Sequence, residues 1–336
     1  MKNILITGTA GFIGFHLAKL LLKNGFKVSG YDGLTEYYDV NLKIARHKIL
    51  QKNVNFTPTI GMLEDYERLE ALGNEFQPEI IVHLAAQAGV RYSLENPRAY
   101  INSNITGTFN VMEVAKKQKV KHLLMASTSS VYGANSKMPF NEIEKTDTQL
   151  TTYAATKKAN ENMAHAYSHL WKIPITMFRF FTVYGPWGRP DMALFKFVSS
   201  ILNDKPIDIY NNGDMFRDFT YVDDIAQSIR LLIDAVPENA ENLKMLDNDS
   251  LSPVAPYRVV NIGNSNKVKL LDFIEVIEEV LDKKAVRNYM PMQKGDVSAT
   301  WANSSLLKNL TGFSPQTNFR EGIISFIEWY RKYYNV

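Results

Sequence analysis

The 336-residue chain contains no cysteine. That excludes disulfides, thiol nucleophiles and thiolate-held metal or cluster sites, and it is compatible with a cytoplasmic protein. No stretch of about 18 uncharged apolar residues occurs, so no membrane span is expected. The apolar run at 4–7 is too short for the core of a signal peptide. Charge of either sign is scarcely in excess: 38 Lys and Arg against 35 Asp and Glu leave +3. No basic run interleaves with aromatics, and nucleic acid is therefore not an expected partner. Internal repeats and low-complexity linkers are also lacking. His165 and His169 share one helix face, but no third ligand stands near them in the chain, so they read as surface or interface residues and no metal is expected.

What is present is an alternation of strand and helix signals. Residues 4–7 read as a buried strand, followed by Gly8-Thr-Ala-Gly11-Phe12-Ile13-Gly14 and a helical pattern over 15–23. In that setting the glycines let the backbone approach a dinucleotide pyrophosphate, and the helix start supplies amide donors and a favourable dipole. A second strand over 26–31 leads to Asp32. Its carboxylate can accept hydrogen bonds from the adenosine ribose hydroxyls and would repel a 2′-phosphate, so NAD is expected rather than NADP. Helices are expected over 42–50 and 64–76, an extended segment over 54–57, and a further buried strand over 80–86 that ends in Leu84, Ala85 and Ala86. The alternation predicts an α/β fold, a Rossmann-type doubly wound parallel sheet with ligands at the carboxyl ends of its strands. After residue 180 the strand signals shorten and turn formers multiply. We therefore expect residues 1–180 to form a dinucleotide-binding domain carrying the catalytic residues, and residues 181–336 to form mainly a smaller substrate-binding lobe, with some segments returning to the sheet.

Tyr153 and Lys157 lie four apart in a helical pattern and so share one face. A phenol is a poor base at neutral pH, but an adjacent cation favours its ionised form. The strand over 120–125 runs upstream into Ser127-Thr128-Ser129-Ser130, a set of hydroxyls at the same sheet edge. Arg91, in the loop after the 80–86 strand, suits an acidic group. Asp223-Asp224 at a helix start read as capping. The aromatic-rich end over 326–334 reads as an amphipathic terminal helix.

Taken in order, the glycine motif, Asp32, His83-Leu-Ala-Ala86, the hydroxyl run with Val131-Tyr-Gly133, and Tyr153-x-x-x-Lys157 resemble the extended short-chain dehydrogenase/reductases of the NAD-dependent epimerase/dehydratase family. The resemblance implies that Thr128 hydrogen-bonds the sugar O4, that Tyr153 is the base, and that Lys157 holds the nicotinamide ribose and, with the nicotinamide, depresses the Tyr153 pKa. Dehydratases of the family look like Thr-Asp-Glu at 128–130, and decarboxylases carry Glu at 130. Ser129 and Ser130 depart from both. Gly61-Met62-Leu63 lacks the Asp that meets the adenine amino group in many relatives, and Lys294 stands where Pro is usual. The segments 37–42, 87–93 and 180–197 resemble UDP-glucuronate 4-epimerases, with Thr182 where UDP-galactose 4-epimerases usually have Asn. That resemblance places Ser129, Ser130, Thr182 and Arg189 near a C6 carboxylate. It also places Phe195, Lys196 and the strand ending in Tyr210 at the uracil, and Arg217 at the diphosphate. The expected activity is NAD-dependent C4 epimerisation of a UDP-hexuronate by a homodimer paired through the helices that begin near Pro97 and Tyr153. Epimerisation of an N-acetylated UDP-hexose or UDP-hexuronate, UDP-glucuronate decarboxylation and a non-catalytic NAD-sensing protein are the alternatives.

Overall fold

The computed structural model describes residues 2–239 and 248–336; residues 1 and 240–247, which fall within the two expected domains, lie outside the described residues. Seven parallel strands form the central sheet. Across it, from one edge, they run Phe56–Ile60, Lys27–Asp32, Asn3–Thr7, Ile80–His83, His122–Thr128, Ile175–Phe180 and Tyr257–Ile262. The order reverses between Asn3–Thr7 and Ile80–His83, and in open sheets of this kind such a reversal opens a crevice at the carboxyl ends of the strands.

Alternate strand residues point to opposite faces, and each face has its own core. Ile4, Ile6, Val28, Val82, Leu124, Phe178 and Val260 pack under the helices Phe12–Lys23 and Val222–Leu232. Leu5, Ile81, Leu123, Met125, Met177 and Val259 pack under Tyr66–Phe76, Thr108–Gln118 and Thr152–Trp171. At about 25 cal/mol per Å² of apolar surface removed from water, these two layers are the main source of stability for the sheet. A third cluster, including Phe195, Phe219, Phe273, Ile277, Phe326 and Tyr330, forms the core of the lobe above the carboxyl edge. The aromatic C-terminus is indeed a helix, Phe319–Tyr334, with its apolar face in that cluster.

The lobe is not a simple continuation after residue 180. Strand Tyr257–Ile262 returns to the sheet edge, and helix Val222–Leu232 covers the sheet beside Phe12–Lys23. The helix expected to begin near Pro97 is present and runs to Gln118, but its middle, Ile101–Gly107, is a π-helix. No helix among the described residues is long and apolar enough to cross a membrane.

Candidate active site

The glycine turn sits where the sheet order reverses. Gly8 has φ +85°, and a Cβ there would lie 2.8 Å from the Ala85 nitrogen; a Cβ on Gly14 would lie 2.0 Å from the Gly8 oxygen. These contacts leave room only for glycine and bring the turn against the strand end at 84–86. Asp32 closes the turn from the neighbouring strand. Its Oδ2 accepts the Ala10 N–H at 2.9 Å and its Oδ1 the Leu34 N–H at 2.9 Å. Asp32 therefore shapes the loop as well as lining the cleft.

That cleft, ≈ 260 Å³, is lined by Gly8, Gly11, Phe12, Ile13 and Gly14, by Asp32, by Leu84, Ala85 and Ala86, and by Thr128, Tyr153 and Lys157. All the residues expected to hold a dinucleotide are thus brought together with the catalytic trio. The glycine cradle, the acid beside it and the tyrosine–lysine floor fit NAD. Sequence reasoning had not singled out Lys43, which also lines the cleft and donates to Thr35, with Asp32 close by.

Thr151 starts the catalytic helix by accepting the Ala154 N–H at 3.2 Å, which sets Tyr153 in its first turn. Burial raises the Tyr153 pKa, while a hydrogen bond with Thr128 and the Arg189 charge lower it. Lys157, expected to depress the Tyr153 pKa together with the nicotinamide, lines the same cleft as the phenol. The Lys157 Nζ is turned to the strand and donates to the Ala126 carbonyl at 2.9 Å, and its own pKa falls to about 8 because it is buried. His83 is not a proton carrier. It is buried between Thr7 Oγ1 at 2.7 Å and Thr108 Oγ1 at 3.0 Å, and burial drives its pKa to about 3.

Behind the hydroxyl strand lies a polar network that the sequence did not reveal. Ser127 Oγ donates to Glu161 Oε1 at 2.6 Å, and Arg179 grips both Glu161 oxygens at 2.9 Å. Asn104, on the π-helical segment, donates to the Gln87 carbonyl at 3.0 Å and to Thr156 Oγ1 at 3.1 Å, and so joins the strand end to the catalytic helix. π-helical turns recur at functional sites because the wider turn re-aims side chains.

A larger cleft of ≈ 900 Å³ adjoins the first and shares Tyr37, Arg189 and Met192 with it. It is lined by Arg91, Thr182, Arg189, Phe195, Lys196, Tyr210 and Arg217. Arg91 stacks over the Tyr210 ring at 4.6 Å, and Arg217 pairs with Asp296 at 3.1 Å. Arg189 pairs with Asp191, which also accepts from Tyr37 at 3.1 Å.

Several expectations are altered. Ser129 and Ser130 are half-buried in the short turn after Thr128 and line neither cleft, because that turn folds Ser130 back so that its N–H meets Thr128 Oγ1 at 3.2 Å. Phe195 lines the cleft but is buried; its ring packs on Phe326, Tyr330 and Tyr334. Asp223 and Asp224 do not cap their own helix. They reach sideways, Asp223 to His16 at 2.7 Å and Asp224 to the Gln316 and Thr317 N–H groups at 3.0 and 2.9 Å. His165 and His169 hold down a loop through Ser252 Oγ at 2.9 Å and the Val254 carbonyl at 2.8 Å.

With this geometry in place, comparison with known proteins is informative. Residues 4–246 match the NAD dependent epimerase/dehydratase family. The chain belongs to that family. Among its members, a probable UDP-glucuronate 4-epimerase of Rhizobium meliloti (strain 1021) is 54% identical over 332 residues, covering 98% of this chain and 97% of the relative. UDP-glucuronate 4-epimerase 1 of Arabidopsis thaliana is 42% identical and covers 99% of this chain and 77% of the relative. A crystal structure of UDP-glucuronic acid 4-epimerase from Bacillus cereus, in complex with UDP-glucuronic acid and NAD, superposes with a TM-score of 0.87 at 31% identity, covering 99% of this chain and 100% of the other.

Proposed function

We propose that this family member is an isomerase that interconverts UDP-glucuronate and UDP-galacturonate by NAD-dependent epimerisation at C4. The observation that carries this reading is the junction of the two clefts. A cleft fitted to NAD, with Thr128, Tyr153 and Lys157 at its floor, shares Arg189 with a second cleft that is rich in arginine and, at ≈ 900 Å³, roomy enough for a sugar nucleotide. Relatives similar over nearly the full chain that bear the name UDP-glucuronate 4-epimerase support the same substrate.

In this reading Thr128 hydrogen-bonds the sugar O4 and Tyr153 takes its proton. NAD, when bound, supplies the hydride acceptor and later donor at C4, together with a positive charge beside the phenol. Lys157 anchors the helix to the hydroxyl strand and holds the ribose. Arg189 and Thr182 receive the C6 carboxylate, with Ser130 backing Thr128. The grip has a chemical purpose: a C4 ketone beside the C5-attached carboxylate is a β-keto acid, which loses carbon dioxide unless that group is held in an unreactive orientation. Arg217 takes the diphosphate, since a planar guanidinium bonds two oxygens at once. Arg91, Phe195, Lys196 and Tyr210 form the uridine end. Residues 1–180 act as the cofactor domain and most of 181–336 as the substrate lobe. The exposed apolar residues Ile101, Phe109, Leu170 and Trp171 on helices 97–118 and 152–171 support a homodimer through those helices, testable by sedimentation.

Incubation with UDP-glucuronate, followed by proton NMR, tests the activity. Appearance of the axial C4 epimer is expected. Release of carbon dioxide and a UDP-pentose, or turnover only of N-acetylated UDP-sugars, would overturn it.

A further inference from the structure

Arg46 has no part in the reading above, yet it is the largest wholly buried side chain among the described residues, 0% exposed. Arg179 and Arg258 are also buried, and each faces a carboxylate, Glu161 and Asp249. Arg46 donates instead to uncharged oxygens. Nη1 reaches the Ala10 carbonyl at 2.6 Å and the Tyr38 hydroxyl at 2.8 Å; Nη2 reaches the carbonyls of Trp187 at 2.7 Å and Gly188 at 3.4 Å. Its Nε has no hydrogen-bond partner among the described residues. A buried cation with no carboxylate among its hydrogen-bond partners in the described residues is unfavourable for stability and is better explained by the arrangement it enforces.

That arrangement spans the active site. Ala10 lies inside the glycine turn, and the two peptide groups that flank its Cα are both held, one by Asp32 at the Ala10 N–H and the other by Arg46 at the Ala10 carbonyl. Trp187 and Gly188 lie in the turn that delivers Arg189, the arginine shared by the two clefts. Trp187 has φ +61°, a left-handed conformation that is costly for a residue with a side chain and persists only where its surroundings impose it. Here its carbonyl is fixed by Arg46 and its ring by Phe15, Trp329 and Tyr333 at 5.1–5.5 Å. One guanidinium therefore joins the cofactor side to the substrate side, with a separate nitrogen for each.

We infer that Arg46 is a positioning residue that couples the two sites, so that dinucleotide bound on the glycine turn strengthens sugar-nucleotide binding at the Arg189 turn, and the reverse. The inference rests on the functional reading above for the identity of the two ligands. Such coupling is reciprocal by linkage. A planar, two-armed group can transmit it, whereas an ammonium of the same charge reaches only one turn at a time.

The test is calorimetric titration of the full chain, freed of nucleotide, with NAD in the absence and presence of saturating UDP-glucuronate, the ligand whose carboxylate meets Arg189. For the native protein the two NAD affinities should differ by about fivefold or more, and in Arg46→Lys by less than about twofold. Arg46→Met should in addition weaken NAD itself. A purely structural role would lower the melting temperature and leave the affinity ratio unchanged. If Arg46→Met fails to fold, Arg46→Lys decides alone. A native-like ratio in Arg46→Lys, or a ratio of one in the native protein, overturns the inference; failure of the native protein to bind either ligand would instead overturn the functional reading on which it rests.

Discussion

The Lys157 ammonium donates to the Ala126 carbonyl, 2.9 Å away, and so fastens the catalytic helix to the strand that carries Thr128. Lys157 is 3% exposed, and burial takes its pKa from 10.5 to about 8. Between those values the unfolded chain binds the extra proton. This group's penalty on stability is therefore full below pH 8 and fades as pH rises toward 10.5. Lys157→Met should stabilise the protein at pH 7, by about 1–3 kcal/mol at roughly 1.4 kcal/mol per pKa unit less the lost hydrogen bond, while abolishing turnover. Urea unfolding at pH 7 and pH 9.5 checks it: the gap between variant and native protein should narrow at the higher pH, and a constant gap would contradict the assignment.

The phenol of Tyr153 gives a kinetic prediction. Tyr153→Phe should reduce turnover by roughly 10²- to 10⁴-fold, the usual worth of general-base assistance, with NAD affinity nearly intact. Arg189 lowers the Tyr153 pKa. Removing that charge disfavours the phenolate, so in Arg189→Gln the acid limb of the turnover-versus-pH profile should move to higher pH. An unmoved limb would mean that Arg189 acts only on binding.

Glu161 and Arg179 form a buried pair, 2% exposed each, directly behind Ser127. Leaving one such charge without its partner typically costs 3–5 kcal/mol, and about that loss is expected for Glu161→Leu in chemical denaturation. The variant should also lose turnover, because Ser127 lies between Ala126, which anchors Lys157, and Thr128.

Asp32 accepts from Ala10 and Leu34 and still faces the cleft. An acid in that place repels a 2′-phosphate. NADP should therefore bind at least about 100-fold more weakly than NAD, a difference near 3 kcal/mol, and Asp32→Ser should narrow the gap while loosening the glycine turn. Direct titration of both dinucleotides decides this.

The glycine turn, Asp32 and the Tyr153–Lys157 helix were legible in the sequence because each is a short motif whose chemistry depends on neighbours in the chain. Arg46 was not, since its meaning comes from Trp187, 141 positions away. Glu161 and Arg179 looked like ordinary charges on a helix and a strand until the fold enclosed them. The π-helical turn bearing Asn104 left no periodicity of its own within a helix that was otherwise read correctly. The second contact of Lys157 was not legible for a related reason. Spacing puts it on the same face as Tyr153, and both line the cleft, but the Ala126 carbonyl that accepts from its ammonium belongs to a strand 31 residues earlier.

The account stands or falls on whether the hydride that leaves C4 is the one that returns to it. UDP-glucuronate deuterated at C4 should give UDP-galacturonate that keeps its deuterium at C4, seen by NMR with no exchange from water. Loss of the label to solvent would contradict oxidation and reduction at C4, and with it the roles of Tyr153, Thr128 and the cofactor cleft.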